Sequence, residues 1–267
     1  MCQLFAMNSS QPVSVHLALR TFTARGGRTG DHVDGWGIAF HDRRGSRVML
    51  DHRRAVDSAL AAYLCRHPVH ATTVLAHVRK ATRGQVARTN CHPFQREWRG
   101  RRWSFCHNGT LHDFAPTLTA HDQPSGQTDS EHAFCWLLQQ LRSTLHGSGA
   151  PHWREVAPLL AELASRIGRH GVFNFTLTDG AALYALGASR LSWQQRPLAR
   201  DAQPPAAAIG RTVQIATEPL DSVEPWQAFA PGELMVFEHG EPVWSHQLDL
   251  PAHPMPAANQ TSAALAA

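Results

Sequence analysis

Cys2 places a thiol and, once the initiator methionine is trimmed, a free α-amine on a single residue. A second residue as small as cysteine favours that trimming. An α-amine with a pKa of roughly 7.7 to 8.0 is partly unprotonated near neutral pH and can take the thiol proton directly or through a water. Such a residue is a nucleophile that carries its own base and needs no separate histidine. On position alone the plainer reading is a small packed hydrophobe; what weighs against it lies further along the chain. Polar side chains gather at His77-Val78-Arg79, Asn90-Cys91-His92-Pro93, His107-Asn108-Gly109 and Thr128-Asp129-Ser130-Glu131. Each has a modest explanation of its own: Asn-Gly is a common hairpin turn, Thr128 to Glu131 has the form of a capping box with an acidic group at the positive end of a helix, and Asp34-Gly35-Trp36-Gly37 has the form of a tight turn with a buried tryptophan.

The elements that must position these groups follow from periodicity. Cys2 to Met7 is a short apolar run that predicts a buried strand, which would hold the thiol at a strand end. A first helix is expected over Val13 to Ala24, a strand over Gly35 to His41 with a hairpin partner at Ser46 to Asp51, and a helix over Val56 to Cys65 ended by Pro68. Thr72 to Val78 is β-branched and apolar, and Trp103 to Cys106 is a further short strand. Helical spacing recurs over Ala133 to Leu141 and over His152 to Arg169, where Pro158 marks a kink or a later start. From Val172 onward the pattern turns to strands: Phe173 to Thr178 and Ala182 to Leu186 across an Asp179-Gly180 two-residue turn, then Val213 to Thr217, Glu233 to Glu238 and Pro242 to His246. Strand pairs at both ends with helices between them imply two stacked sheets covered by helices.

Composition bounds the remainder. The 267 residues suffice for one large core, and a charged content of 17% is that of an ordinary globular protein. The formal charge of +4 rests on scattered arginines, with Lys80 the only lysine, and the one dense basic cluster, Arg99 to Arg102, reads as a solvated hairpin turn rather than a track for nucleic acid. Five cysteines without a CxxC pair argue against a disulfide framework and for a reducing compartment. Cys91, His92, Cys106 and His107 match no common zinc spacing. No apolar run approaches membrane-spanning length and no signal peptide precedes Cys2, so the expected location is cytoplasmic. One domain is expected over 2–250, followed by an Ala/Pro-rich tail at 251–267 expected to be disordered.

Cys2, the stretch from Arg25-Gly26-Gly27 to Asp34-Gly35-Trp36-Gly37, His77-Val78-Arg79, Asn90-Cys91-His92-Pro93, His107-Asn108-Gly109 and Thr128-Asp129-Ser130-Glu131 appear in the order found in class II glutamine amidotransferases. The chain resembles the short, stand-alone YafJ-type branch of that family, from Cys2 to about Trp244. The resemblance implies an α+β fold, the four-layer αββα sandwich of the N-terminal-nucleophile hydrolases, and an enzyme working without cofactor or metal.

It also implies roles. The Cys2 thiolate attacks the side-chain amide of glutamine, and the Asn108 side chain and Gly109 N–H stabilise the oxyanion. Ammonia leaves with a proton from the α-ammonium, and water hydrolyses the thioester to glutamate. Arg79 matches the clamp for the substrate α-carboxylate, Thr82 a supporting hydroxyl and Asp129 the partner of the α-ammonium. Arg25 matches a position that supports the nucleophile without touching substrate, a solvent-facing arginine being the alternative.

Lys80 and Arg83 depart from the family pattern, and two extra cations would favour a γ-glutamyl peptide or conjugate. The absence of an ammonia-consuming domain leaves two options: a separate ammonia-accepting synthase docks here, or hydrolysis of a γ-glutamyl bond is the whole reaction. A non-catalytic sensor of glutamine-like ligands is the reading from a different class.

Overall fold

A computed structural model describes residues 2–82, 84–198, 210–222 and 225–251. Its scaffold is two antiparallel sheets. The first contains β1 (Gln3–Ser14), β2 (Trp36–Asp42), β3 (Gly45–Asp51), β4 (His70–Val78), and, from much later in the chain, β9 (Ser192–Pro197), β10 (Arg211–Ala216) and β11 (Gln227–Ala228), in the order β11-β9-β10-β1-β4-β2-β3. The second contains β5 (Phe94–Trp98), β6 (Arg101–Leu111), β7 (Gly171–Thr178), β8 (Ala182–Gly187), β12 (Glu233–Glu238) and β13 (Glu241–Gln247), in the order β13-β12-β8-β7-β6-β5.

Side-chain alternation sorts each strand between two cores. Along β1, Phe5 and Met7 point outward, where they meet Leu19 and Phe22 of α1 (His16–Ala24) and Leu64 of α2 (Ala59–Leu64). Leu4 and Ala6 point inward and meet Cys106, Leu183 and Phe237 of the second sheet. On that sheet Phe105, Phe173 and Phe175 face outward onto α3 (Asp129–Thr144) and α4 (Trp153–Gly168). Phe105 stacks on Phe134 of α3 with ring centroids 5.2 Å apart. Two helices therefore cover each outer face, which is the four-layer αββα arrangement.

Several boundaries differ from the sequence-based expectation. Strand β1 runs to Ser14, re-registering against β4 between Asn8 and Val13, so the first helix starts at His16 rather than Val13. The helix expected over Val56 to Cys65 is a 3₁₀ turn at Ala55–Asp57 followed by α2, which Ser58 caps by accepting from Ala61 N–H. Helix α4 passes through Pro158 and begins at Trp153, because His152 and Glu155 form a reciprocal cap ahead of it. The β7–β8 connection is longer than two residues: Thr178 faces Leu183, and the Asp179 carboxylate gathers the Ala181 and Ala182 N–H groups. β5, β9 and β11 carried no strand expectation. The hairpin turn expected over Arg99 to Arg102 narrows to Arg99-Gly100, both with positive φ (51° and 70°), while Arg101 and Arg102 open β6. The tail expectation at 251–267 falls, beyond Pro251, outside the described residues.

Candidate active site

Alternation also assembles the site. Cys2 precedes β1 on the inward phase of Leu4 and Ala6; His77 and Arg79 follow the inward phase of Leu75 on β4; Asn108 shares the inward phase of Cys106 on β6. Gln3 pairs with Val78, so Cys2 lies beside the residues that leave β4. The Lys80 N–H donates to Cys2 Sγ at 3.2 Å, and the thiol donates to the Lys80 carbonyl at 3.2 Å. Burial pushes the Cys2 thiol up, while the Lys80 N–H and the charge of Arg79 act in the opposite direction. The thiol therefore stays protonated at neutral pH in this arrangement and would need a base to act as a nucleophile.

Asn108 spans the two sheets. Its side-chain amide donates to the Cys2 carbonyl at 2.6 Å and to Thr217 Oγ at 3.3 Å. Thr217 Oγ also accepts from Leu4 N–H at 2.8 Å, and Thr217 N–H donates to the Leu4 carbonyl, so one hydroxyl ties β1, the end of β10 and β6 together. Asn108-Gly109 is no hairpin turn: β6 continues through it, with Asn108 opposite Asn174 and Gly109 opposite Phe173 of β7. Glycine is required there by close approach, since a Cβ at 109 would lie 1.7 Å from the Val172 carbonyl oxygen.

Arg79 is almost fully buried, and its guanidinium donates to the carbonyls of Gln85 (3.2 Å) and Gly84 (3.4 Å). The Asp34-Gly35 segment brackets it: Asp34 N–H donates to the Arg79 carbonyl, Arg79 N–H to the Gly35 carbonyl, and the Asp34 carboxylate accepts from Ala81 N–H at 2.7 Å. The expected tight turn is thus a brace for the arginine.

Thr128 caps α3 by accepting from Glu131 N–H at 3.1 Å. The capping box is only half formed, because the buried Glu131 carboxylate turns back to the Ser125 and Gly126 N–H groups and to Arg96. Asp129 is left outside the cap. Its carboxylate accepts from Leu111 N–H at 2.7 Å and Ser130 N–H at 2.9 Å, at the end of β6.

His107 faces the opposite way from Asn108 and joins strand to helix. Its Nε2 donates to the Val172 carbonyl at 3.0 Å and, since a carbonyl can only accept, Nδ1 of the neutral ring accepts from Ser130 Oγ at 2.8 Å. Burial depresses the His107 pKa and keeps it neutral. Thr82 is exposed, its hydroxyl 3.5 Å from Thr110 Oγ of β6.

Arg25 does not reach the thiol. It donates to Gln3 Oε1 at 2.9 Å and to the carbonyls of Glu218 and Pro219, so it binds the residue next to Cys2 and the chain leaving Thr217. Lys80 is not a surplus cation: its ammonium pairs with the Asp31 carboxylate at 2.5 Å. Arg83 lies outside the described residues. Cys91 and Cys106 are buried thiols; burial raises Cys91 to about 11 and Cys106 well above the usual thiol range, which leaves both un-ionised at neutral pH.

Sequence reasoning missed Thr217, Thr110 and Ser130. Ser130 could have been found from its place inside the Thr128–Glu131 motif and Thr110 from its place after Gly109, whereas no local signal marks Thr217.

Residues 1–261 match the family model described as glutamine amidotransferases class-II. The chain is 36% identical to a protein of Escherichia coli (strain K12) named "Putative glutamine amidotransferase YafJ", over 91% of this chain and 100% of that one. It is 34% identical to a "Putative glutamine amidotransferase" of Haemophilus influenzae, over 91% of this chain and 86% of that one. Among solved structures, a predicted glutamine amidotransferase from Pseudomonas aeruginosa superposes with a TM-score of 0.71 at 33% identity, covering 91% of this chain and 100% of that one. The glutamine phosphoribosylpyrophosphate amidotransferase of B. subtilis shares the fold at a TM-score of 0.61 and 16% identity, over 92% of this chain and 49% of its own. The order of motifs from Cys2 to Glu131, the αββα layers and these likenesses agree: the chain belongs to the class II glutamine amidotransferase family.

Proposed function

We propose that this protein hydrolyses the side-chain amide of glutamine to glutamate and ammonia through a thioester on Cys2. The observation that carries the reading is the neighbourhood of Cys2: its thiol is held by the N–H and carbonyl of Lys80, within the electrostatic reach of Arg79, and its carbonyl accepts from the Asn108 amide at 2.6 Å. Removal of Met1 frees the α-amine of Cys2, which takes the thiol proton. The thiolate attacks the amide carbon, and the Asn108 amide and Gly109 N–H receive the oxyanion. Two fixed donors in a water-poor site stabilise such a charge by several kcal/mol, each about 2.7 to 4 kcal/mol where single donors have been removed in other enzymes. Collapse expels ammonia with the proton returned by the α-ammonium; water then attacks the thioester and releases glutamate.

Arg79 receives the substrate α-carboxylate and Asp129 its α-ammonium, with Thr82 and Thr110 at the entrance. Arg25 keeps the Gln3 end of β1 in place. Both protons of the Asn108 amide are engaged in the resting arrangement, so oxyanion binding requires the amide to release one acceptor, and the longer contact, to Thr217, is the weaker hold. A separate ammonia-accepting synthase belongs to this reading, with hydrolysis slow alone and raised by the partner. A γ-glutamyl conjugate as acyl donor is the competing reading. It loses its Lys80 argument to the Asp31 ion pair and keeps only Arg83.

Intact mass spectrometry before and after 6-diazo-5-oxo-norleucine tests the proposal. A chain lacking Met1 with one adduct on Cys2 supports it. Retention of Met1, or a trimmed chain that takes no adduct, refutes it. Turnover of glutamine against a γ-glutamyl anilide then separates the two substrates.

A further inference from the structure

The two sheets that meet over Cys2 part at their other end, and the gap is a cavity of about 620 Å³. The same alternation that aims Cys2 and Asn108 inward carries along the strands to Asn8 on β1, His41 on β2, Thr73 on β4 and Arg102 on β6, all of which line it. Asn8 is six residues from Cys2 along β1, so the cavity lies roughly 20 Å from the thiol at about 3.4 Å per residue.

Its polar groups fall into two sets. One set is internally satisfied: Asn8 donates to Thr73 Oγ and accepts from Gly240 N–H, the Asp42 carboxylate takes Arg47 and the Arg44 N–H, and Asp179 takes Arg101 and two backbone N–H groups. The other set is exposed on the cavity wall. Arg43, at the tip of the β2–β3 hairpin, where it also borders the neighbouring groove over Pro68 and His70, and Arg102, beside the β5–β6 turn, are exposed arginines from opposite sheets; among the described residues Glu97, across the strand pair from Arg102, is the further carboxylate on the wall. Between them the buried His41 uses Nε2 on Ser104 Oγ at 2.8 Å. Its Nδ1 edge lies beside Gly180, where an added Cβ would come within 3.1 Å of that nitrogen.

We propose that this distal cavity binds the phosphate group of a small organic phosphate, clamped between Arg43 and Arg102 with His41 beneath it. Guanidinium forks suit phosphate because they place paired N–H donors against two oxygens, and one fork from each sheet reaches the ion from both sides. The volume exceeds what a bare ion fills and lies within the usual range for small-molecule sites, which leaves room for a sugar- or nucleoside-sized remainder. Burial lowers the His41 pKa to about 4, so at neutral pH the ring is uncharged and the arginines supply the charge. The site is independent of the amidohydrolase reading.

The test is titration calorimetry with inorganic phosphate on the full-length protein and on Arg43→Ala and Arg102→Ala. Both side chains are exposed, and matched thermal melts establish that the variants fold. Saturable binding by the wild type, weakened about tenfold or more in each variant, is the expected result, each lost fork removing charge-assisted hydrogen bonds. The proposal is overturned if no saturable heat appears up to about 20 mM phosphate. It is equally overturned if either variant binds as the wild type does, since phosphate taken up by the Arg79 pocket would be indifferent to both substitutions.

Discussion

The Asn108 side-chain amide donates to the Cys2 carbonyl at 2.6 Å, across 106 residues of sequence and from one sheet to the other. This contact sets the spacing between the candidate nucleophile and the candidate oxyanion donor, and Thr217 shares it through the second amide proton. Asn108→Ala is expected to lower kcat for glutamine by about 10²- to 10³-fold, the usual cost of one oxyanion donor, with KM little changed. Steady-state glutaminase kinetics check this; an unchanged kcat would remove Asn108 from the mechanism.

Thr217→Val keeps the side chain's size and deletes the acceptor for Leu4 N–H and Asn108. Leaving a buried N–H without a partner costs about 1 to 3 kcal/mol, so denaturant unfolding should show a drop of that order. The kcat should fall while KM holds, because loss of the Leu4 N–H acceptor loosens the strand that carries the thiol, an effect that outweighs the freeing of one Asn108 amide proton. A fall in stability with unchanged kcat would assign Thr217 a purely structural part.

Lys80 and Asp31 form an exposed pair, with side chains 42% and 69% accessible, and such pairs contribute little. Lys80→Ala should leave the KM for glutamine within about threefold, whereas Arg79→Lys, which keeps the charge but loses the planar fork, should raise it about tenfold or more. Initial rates over a range of glutamine concentrations decide both. A large Lys80 effect would restore the extra-cation argument for a γ-glutamyl substrate.

Burial lowers the pKa of His77 to about 3 and of His41 to about 4, against 6.5 for the free side chain, and depresses His92 and His107 as well. For a base with a depressed folded-state pKa, the unfolded chain binds the extra proton first. Stability is therefore complete above about pH 6.5 and is lost as pH falls toward the folded values, at up to about 1.4 kcal/mol per pH unit for each histidine. Thermal melts between pH 7 and pH 4 should show this loss, and His77→Phe, which is uncharged at every pH, should make it shallower. A melting temperature flat over that range would contradict the burial argument.

Gly109→Ala should destabilise the fold rather than merely slow catalysis, because the new methyl would meet the Val172 carbonyl on the neighbouring strand at 1.7 Å. Melting of the purified variant, or its failure to accumulate as folded protein, is the readout; a fully stable variant would mean that β6 and β7 can separate at no cost.

Much was legible in order and period. A thiol at residue 2, an apolar run behind it and the polar motifs His77-Val78-Arg79 and His107-Asn108-Gly109 next to strand-forming runs are local features, and alternation along a strand decides which side chains share a face before any partner is known. The Arg99-Gly100 turn and the Thr128 cap are local as well, and the structure has both. What local chemistry suggested wrongly were cases where two explanations competed. Asn108-Gly109 suits a hairpin turn, but pairing with Asn174 and Phe173 of β7 holds it extended, and Glu131 suits a capping box, but Arg96 and two backbone N–H groups draw it away.

Tertiary structure alone decided the partners. Thr217 reaches Leu4 across 213 residues and Asn108 across 109, and Lys80 meets Asp31 across 49. No spacing rule spans such distances, since these contacts exist only after two sheets have closed on one core and paid the entropy of joining remote segments. The sequence by itself determined which residues could do chemistry and which way they face; the packing of β1, β6 and β10 decided which of them touch.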